Sequence, residues 1–298
     1  MASSVFLSIF LPAALVIIML GLGLSLTVMD FRRVLLYPKA VAIALTCQVL
    51  VLPLVCAGVA HFFGLAPVLA VGLMLLAASP GGTTASLYSH LANGDVALNV
   101  TLTAINSVMA IVTLPLVINF SLLHFFGEGK VLPLQFDKII QVFILVIVPV
   151  ACGMLIRKFL PNIARAAEKP VKIISALFLF AVVAIVMITQ SNELLAGAVQ
   201  VGLAALAFNI LSLAIGYYVP FFLKLDQRQA TAISFEIGLH NGTIAIAIAM
   251  GPSLLNNPTM ALPAAIYGLI AFVTAAIFGF LINRTIKSTM TVALNAPQ

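Results

Sequence analysis

Apolar and polar residues in this chain are sorted into blocks: uninterrupted apolar runs of roughly twenty residues alternate with short polar loops. Such a run is the length of helix needed to cross the hydrocarbon core of a bilayer. Backbone amides cannot stay unpaired there, so only helices or a closed barrel can span, and runs of this length are helical. The pattern predicts nine spans, over roughly residues 5–28, 40–61, 66–92, 96–122, 137–156, 170–190, 194–222, 228–250 and 259–283.

Two of these runs are interrupted by helix breakers. The third carries "AASPGGTTASL", with Pro80, Gly81 and Gly82 in its middle, and the eighth carries "EIGLHNG", with Gly238 and Gly242 around His240 and Asn241. Each interrupted run is third in a series of four. The first series covers residues 5–122 and the second 170–283, with 137–156 unpaired between them. An odd span between two like series makes them enter the membrane from opposite faces, which is the order of features expected of an inverted-topology repeat with discontinuous helices.

Composition narrows the class. The chain has 298 residues, of which 63% are hydrophobic and 7% charged, with a mean hydropathy of +1.24. A soluble domain needs a polar shell that these residues cannot supply, so the fold class is an all-α polytopic membrane protein forming one transmembrane unit over 1–298. The net charge of +6 does not point to nucleic acid, because the cations sit in short loops. Arg32, Arg33, Lys39, Arg157, Lys158, Arg165, Lys169, Lys172, Lys224, Arg228, Arg284 and Lys287 share one face if nine spans alternate; the other face keeps Lys130 and Lys138. Cationic loops stay cytoplasmic, which puts the N-terminus outside and the C-terminus inside. The N-terminal run has no basic region before it and is too long for a signal peptide, so it reads as a retained span of a bacterial inner-membrane protein. Cys47, Cys56 and Cys152 fall inside apolar runs and read as small core residues. His61, His90 and His124 stand near span ends and read as separate interfacial residues.

Of the eight acidic residues, only Glu236 lies well inside a span. A charge near the bilayer centre costs about 3 kcal/mol or more unless something offsets it. A protonated carboxyl bonded to a neighbouring helix is one solution; a bound cation is the other. The second gains weight from further polar residues at depth, namely Gln48, Ser86, Asn99 and Thr103, the last two one helical turn apart on one face. With carbonyls released at two breaks, they make an all-oxygen shell of the kind hard cations prefer. The half-helices starting near Thr83 and Asn241 aim unpaired amides and positive dipole ends into the membrane, which suits an anion. A cation shell beside an anion cradle is the logic of coupled symport, since each ligand improves binding of the other.

At "LGLGLSLTVMDF", "SPGGTTASLYSHLANGDVALNVTLTAINS" and "FEIGLHNGTIAIAIA" the chain resembles the bile acid:sodium symporter family, including its bacterial members. The resemblance runs over nearly the whole chain. It implies a panel domain and a core domain, with the two discontinuous helices crossing in the core. It implies one sodium site on Ser86, Asn99, Thr103 and Glu236 with the Ala85 backbone, and a second on Gln48, Glu236 and His240 with the carbonyls of Ile237 and Leu239. The anionic end of a substrate would meet Gly82, Thr83 and Asn241. Three departures accompany it. His240 stands where many members have Gln, which brings in an imidazole titrating near about pH 6.5 in water and with it a weakened second site or some proton dependence. Ser86 and Asn99 look like a reciprocal swap of the family's usual Asn and Ser. Nine spans replace the ten of many bacterial relatives.

The expected activity is sodium-coupled import of a small organic anion, such as a bile-acid-like, keto-acid or pantoate-like carboxylate, by alternating access. Sodium is the coupling ion, with no cofactor, no nucleic acid and no obligatory protein partner besides the lipid bilayer. The competing readings are a proton-coupled transporter using Glu236 and His240 as a relay, an intramembrane enzyme with the same pair as acid and base, and a channel. The chain offers no Gly-x-Ser-x-Gly element or phosphate loop to support hydrolysis or nucleotide chemistry.

Overall fold

The computed structural model of the chain describes residues 19–127, 136–167 and 191–294, less 252 and 253, with a few isolated positions elsewhere. The side chain of Thr83 and most side chains of 136–146, 191–198 and 285–294 are outside the described set. The predicted span over 170–190 and the first part of the one over 5–28 also lie outside the described residues.

The continuously described part of helix α1 covers residues 19–25, and α2 (Val28–Arg32) follows after a short break. Asp30 accepts from the backbone N–H and hydroxyl of Thr27 in a capping box and pairs with Arg33 at 2.9 Å. Next come a long helix, α3 (Pro38–Phe62), and a discontinuous one made of α4 (Pro67–Ala78) and α5 (Thr83–Leu91). Helices α6 (Val96–Phe126), α7 (Phe136–Phe159) and α8 (Ser191–Phe222) are again continuous. The second discontinuous helix is α9 (Gln227–Gly238) and α10 (Gly242–Met250), and α11 (Pro258–Leu294) closes the chain.

Both predicted interruptions are therefore present, each as a gap of a few residues between two short helices. The predicted span 96–122 corresponds to α6 and 137–156 to α7. Among the described residues, Pro38–Phe62, Val96–Phe126, Val199–Phe222 and Pro258–Arg284 are long and apolar enough to cross a membrane. Their outer faces carry exposed large apolar side chains, among them Leu54, Leu116, Ile210 and Phe280, as expected where the surrounding solvent is lipid. Cys47 and Cys56 are buried as expected, but Cys152 is exposed on α7: the apolar run around it faces outward at that position rather than into the core.

Packing concentrates around the discontinuous pair. Helix α4 lies against α6 and α11, α9 against α8, α5 and α6, and α10 against α11. The centres of α9 and α10 are buried on all sides, from Ala230 to Gly238 and from Ile244 to Met250. Near the chain start, α1 and α7 touch through small residues. A Cβ on Gly23 would stand 2.2 Å from the Val150 carbonyl, and one on Gly153 would stand 2.4 Å from that of Leu20. Contact this close needs glycine, as in membrane helix pairs generally.

Candidate ion-binding site

Glu236 is fully buried two residues before the end of α9. Its carboxylate takes three donors from two neighbouring elements. The Thr103 hydroxyl donates to Oε2 at 2.6 Å, the Asn106 carboxamide donates to Oε1 at 3.2 Å, and the Gly81 backbone donates from the first break. Asn99, Thr103 and Asn106 are spaced i, i+4, i+7 on α6, so they form one stripe facing α9. The sequence reading took the first two and missed Asn106, whose spacing on the same stripe was the available signal. The carboxylate approaches Gly81 so closely that a Cβ there would sit 2.5 Å from Oε1.

The two breaks are stitched together. Gly81 and His240 form an isolated antiparallel bridge, and the Asn241 amide donates to the Pro80 carbonyl at 2.9 Å. In a continuous helix that amide would bond Ile237, so its diversion releases the Ile237 carbonyl from its helical partner. At the same place the Gly238 carbonyl is held by the Tyr267 hydroxyl at 2.7 Å and the Asn209 carboxamide at 2.9 Å. Sequence analysis had no means of seeing these two supports, which come from α8 and α11.

Gln48 and His240 converge on one backbone oxygen. Gln48 Nε2 donates to the carbonyls of Ala77 at 3.1 Å and Ser79 at 3.3 Å, and His240 Nδ1 lies 3.2 Å from the same Ser79 carbonyl. A carbonyl only accepts, so the neutral ring carries its proton on Nδ1 and presents a lone pair at Nε2. Phe208 stacks on that ring with centroids 5.2 Å apart, fixing its plane. Gln48 lies in a π-helical turn, Cys47–Val51, inside α3. Pro53 just beyond cannot donate to Val49, and the widened turn accommodates the missing bond. Three buried acceptors around the breaks have no hydrogen-bond partner: Gln48 Oε1, Asn106 Oδ1 and His240 Nε2. Gln48 and Asn106 line a shared cavity of about 10 Å³, room for the centre of one water-sized sphere.

The other predicted positions are placed as follows. Ser86 donates to Asn99 Oδ1 at 2.7 Å, and Asn99 Nδ2 donates to the Ala232 carbonyl at 2.8 Å, so these two meet each other while Thr103 meets Glu236. Ala85 is buried beside Ser86 on α5. Gly82, in extended conformation, is the residue before α5, and the α5 helix starts at Thr83. Asn241 caps α10, its side-chain oxygen accepting from Ile244 at 3.3 Å. Leu239 ends α9 in a non-helical conformation. His61 and His124, read from sequence as separate, meet with their Nε2 atoms 2.7 Å apart; the 63 positions between them hid this.

Comparison with known proteins bears on what such a site holds. Residues 12–198, more than half the chain, match the sequence profile described as "Sodium Bile acid symporter family". The chain belongs to the sodium bile acid symporter family. The chain is 30% identical over 267 residues to the uncharacterized sodium-dependent transporter YocS of Bacillus subtilis, covering 88% of this chain and 79% of that protein. It is 30% identical over 253 residues to the probable sodium/metabolite cotransporter BASS1, chloroplastic, of Arabidopsis thaliana, covering 85% of this chain and 61% of that one. The human ileal sodium/bile acid cotransporter is 24% identical over 280 residues, 92% of this chain and 79% of its own length. As a member of the sodium bile acid symporter family, the chain is membrane-embedded and belongs with sodium-dependent transporters, not enzymes, which removes the acid–base enzyme reading of Glu236 and His240. The profile match includes Gln48, the first break and the α6 stripe; Glu236 and His240 lie beyond it.

Proposed function

We propose that the protein is a sodium symporter that imports a small organic anion by alternating access, with two cation sites sharing Glu236. The observation that carries this reading is the buried Glu236 carboxylate set among polar side chains and backbone where two discontinuous helices meet. In the first site Glu236 acts with Thr103, Asn99, Ser86 and the Ala85 backbone; in the second it acts with Gln48, His240 and the carbonyls of Ile237 and Leu239. The unpartnered Gln48 Oε1 and His240 Nε2 support the second site, since each has a lone pair that a cation can use. Asn106 joins the set as a donor that holds Glu236 toward α6.

The anion is assigned to Gly82, Thr83 and Asn241, at the starts of α5 and α10, where backbone amides and helix dipoles favour negative charge. A carboxylate of bile-acid-like, keto-acid or pantoate-like type fits that chemistry. Sodium on Glu236 removes the negative charge that would repel it, which couples the two ligands. The halves 5–122 and 170–283 act as an inverted repeat, and a panel domain moves against the core. Orientation follows from the cationic loops: N-terminus outside and C-terminus in the cytoplasm of a bacterial inner membrane. The proton relay has less support, because no hydrogen bond joins Glu236 to His240 among the described residues.

The test is uptake of candidate carboxylates into proteoliposomes under an inward sodium gradient at fixed pH, with potassium replacing sodium as the control. Accumulation that needs sodium supports the reading, and equal accumulation in potassium overturns it.

A further inference from the structure

We propose that His61 and His124 form a binding site for a divalent transition-metal ion such as zinc, separate from the sodium site. His61 lies in the last turn of α3 and His124 in the last turn of α6, and both rings are exposed. Their Nε2 atoms face each other at 2.7 Å, with the ring planes nearly perpendicular at 88°. The aromatic surroundings hold this geometry: Phe120 stacks on His124 with centroids 5.9 Å apart, and Phe125 packs against both imidazoles at 5.0 and 4.9 Å.

Two facing imidazole nitrogens suit zinc, copper or nickel, which favour nitrogen donors, and suit sodium or magnesium poorly. In the hydrogen-bonded pair one ring donates its Nε2 proton to the other ring's lone pair. On metal binding the donor ring moves that proton to Nδ1, so both Nε2 lone pairs face the ion and no proton is lost. An ion holding both at about 2.0–2.1 Å in tetrahedral geometry sets them about 3.3 Å apart. The rings then part by about half an ångström, a movement within reach of exposed side chains. Water completes the coordination sphere on the open side. The consequence reaches the transport helices, since α3 carries Gln48 and α6 carries Asn99, Thr103 and Asn106. A metal here ties the ends of those two helices together.

The experiment uses purified full-length protein in detergent near pH 7.5, titrated with zinc chloride by calorimetry and followed by thermal unfolding, with magnesium chloride as the control. Zinc is expected to bind at about one equivalent and raise the unfolding temperature, while magnesium does neither. His61→Ala and His124→Ala are each expected to weaken zinc binding at least about ten-fold, as loss of a ligand demands. His90→Ala, which changes an exposed histidine on α5, is expected to bind zinc as the parent does. Absence of a zinc response in the parent protein overturns the site, and so does an undiminished response in both variants of the pair. The two variants are checked for a monodisperse elution profile; if either aggregates, His61→Gln and His124→Gln, which keep side-chain size and polarity, replace them with the same expected loss.

Discussion

Thr103 and Glu236 are 133 positions apart in the chain and 2.6 Å apart in the fold. The Thr103 hydroxyl has one proton and two acceptors within reach, Glu236 Oε2 and the Asn99 carbonyl at 3.1 Å. When the proton points to Glu236 it satisfies the carboxylate. When it points back to Asn99, both Oγ1 and Oε2 offer lone pairs to a cation between them.

Thr103→Val keeps the shape and removes that choice. Its expected cost to stability is about 1–2 kcal/mol, because Glu236 Oε2 loses a donor. Sodium affinity is expected to fall about ten-fold, read from the sodium dependence of thermal unfolding; unchanged sodium dependence argues against ligation by Thr103.

Glu236→Gln is expected to fold. Its carboxamide NH₂ can donate to Thr103 Oγ1, whose proton then turns to Asn99, so stability is expected within about 1 kcal/mol of the parent. The sodium effect is a different matter. At a hundred times its dissociation constant an ion adds about 2.7 kcal/mol, and this gain is expected to disappear in the variant together with sodium-driven uptake.

Gly81→Ala and Gly82→Ala separate two neighbouring glycines. At Gly81 the new methyl would meet Glu236 Oε1 at 2.5 Å and the Glu236 backbone oxygen at 2.7 Å, and the backbone cannot step aside. At Gly82 the nearest atom is Thr84 Oγ1 at 3.7 Å, an ordinary contact. We expect Gly81→Ala to lose about 1–3 kcal/mol and all uptake, while Gly82→Ala unfolds near the parent temperature. Equal melting of the two variants would show that the breaks are less tightly packed than described.

The parts of this site legible in the sequence were those with a cost attached to their surroundings. Glu236 stood out because a carboxylate in an apolar run needs an explanation, and Asn99 with Thr103 because four positions make one helix turn. Asn106 sits three further along the same stripe and escaped, since a single carboxamide in a membrane helix has many uses. The breaks were readable from Pro80 and the glycines around His240 because those residues cannot sustain a helix. What the breaks bond to was not readable. The supports from Asn209 and Tyr267 on Gly238, the diversion of the Asn241 amide to Pro80, and the His61–His124 contact all depend on which helices become neighbours. Cys152 shows the same gap, for an apolar run does not reveal which of its faces meets lipid.

The bonds of His240 fix which of its ring nitrogens can face a cation. Nδ1 is directed at the Ser79 carbonyl, so only the neutral ring keeps a lone pair at Nε2, and a protonated ring offers the cation none. His240→Ala, which removes that lone pair, is expected to lose most of the sodium stimulation of uptake at fixed pH. His240→Gln supplies an amide N–H for Ser79 and an oxygen in place of Nε2, and its sodium stimulation of uptake is expected to stay close to the parent's. Undiminished sodium stimulation in His240→Ala would remove His240 from the proposed cation site.

The strand-like clasp between Gly81 and His240 makes the two interrupted helices mechanically one body. Neither break can hinge open alone, because pulling Pro80 away drags the Asn241 amide with it, and the cap of α10 follows. In the proposed alternating-access cycle, the rearrangement that exposes the carboxylate carries both breaks together and slides along surfaces outside them. Hydrogen exchange at the Asn241 amide should therefore be slow, and it should quicken only when the whole centre of the molecule comes apart.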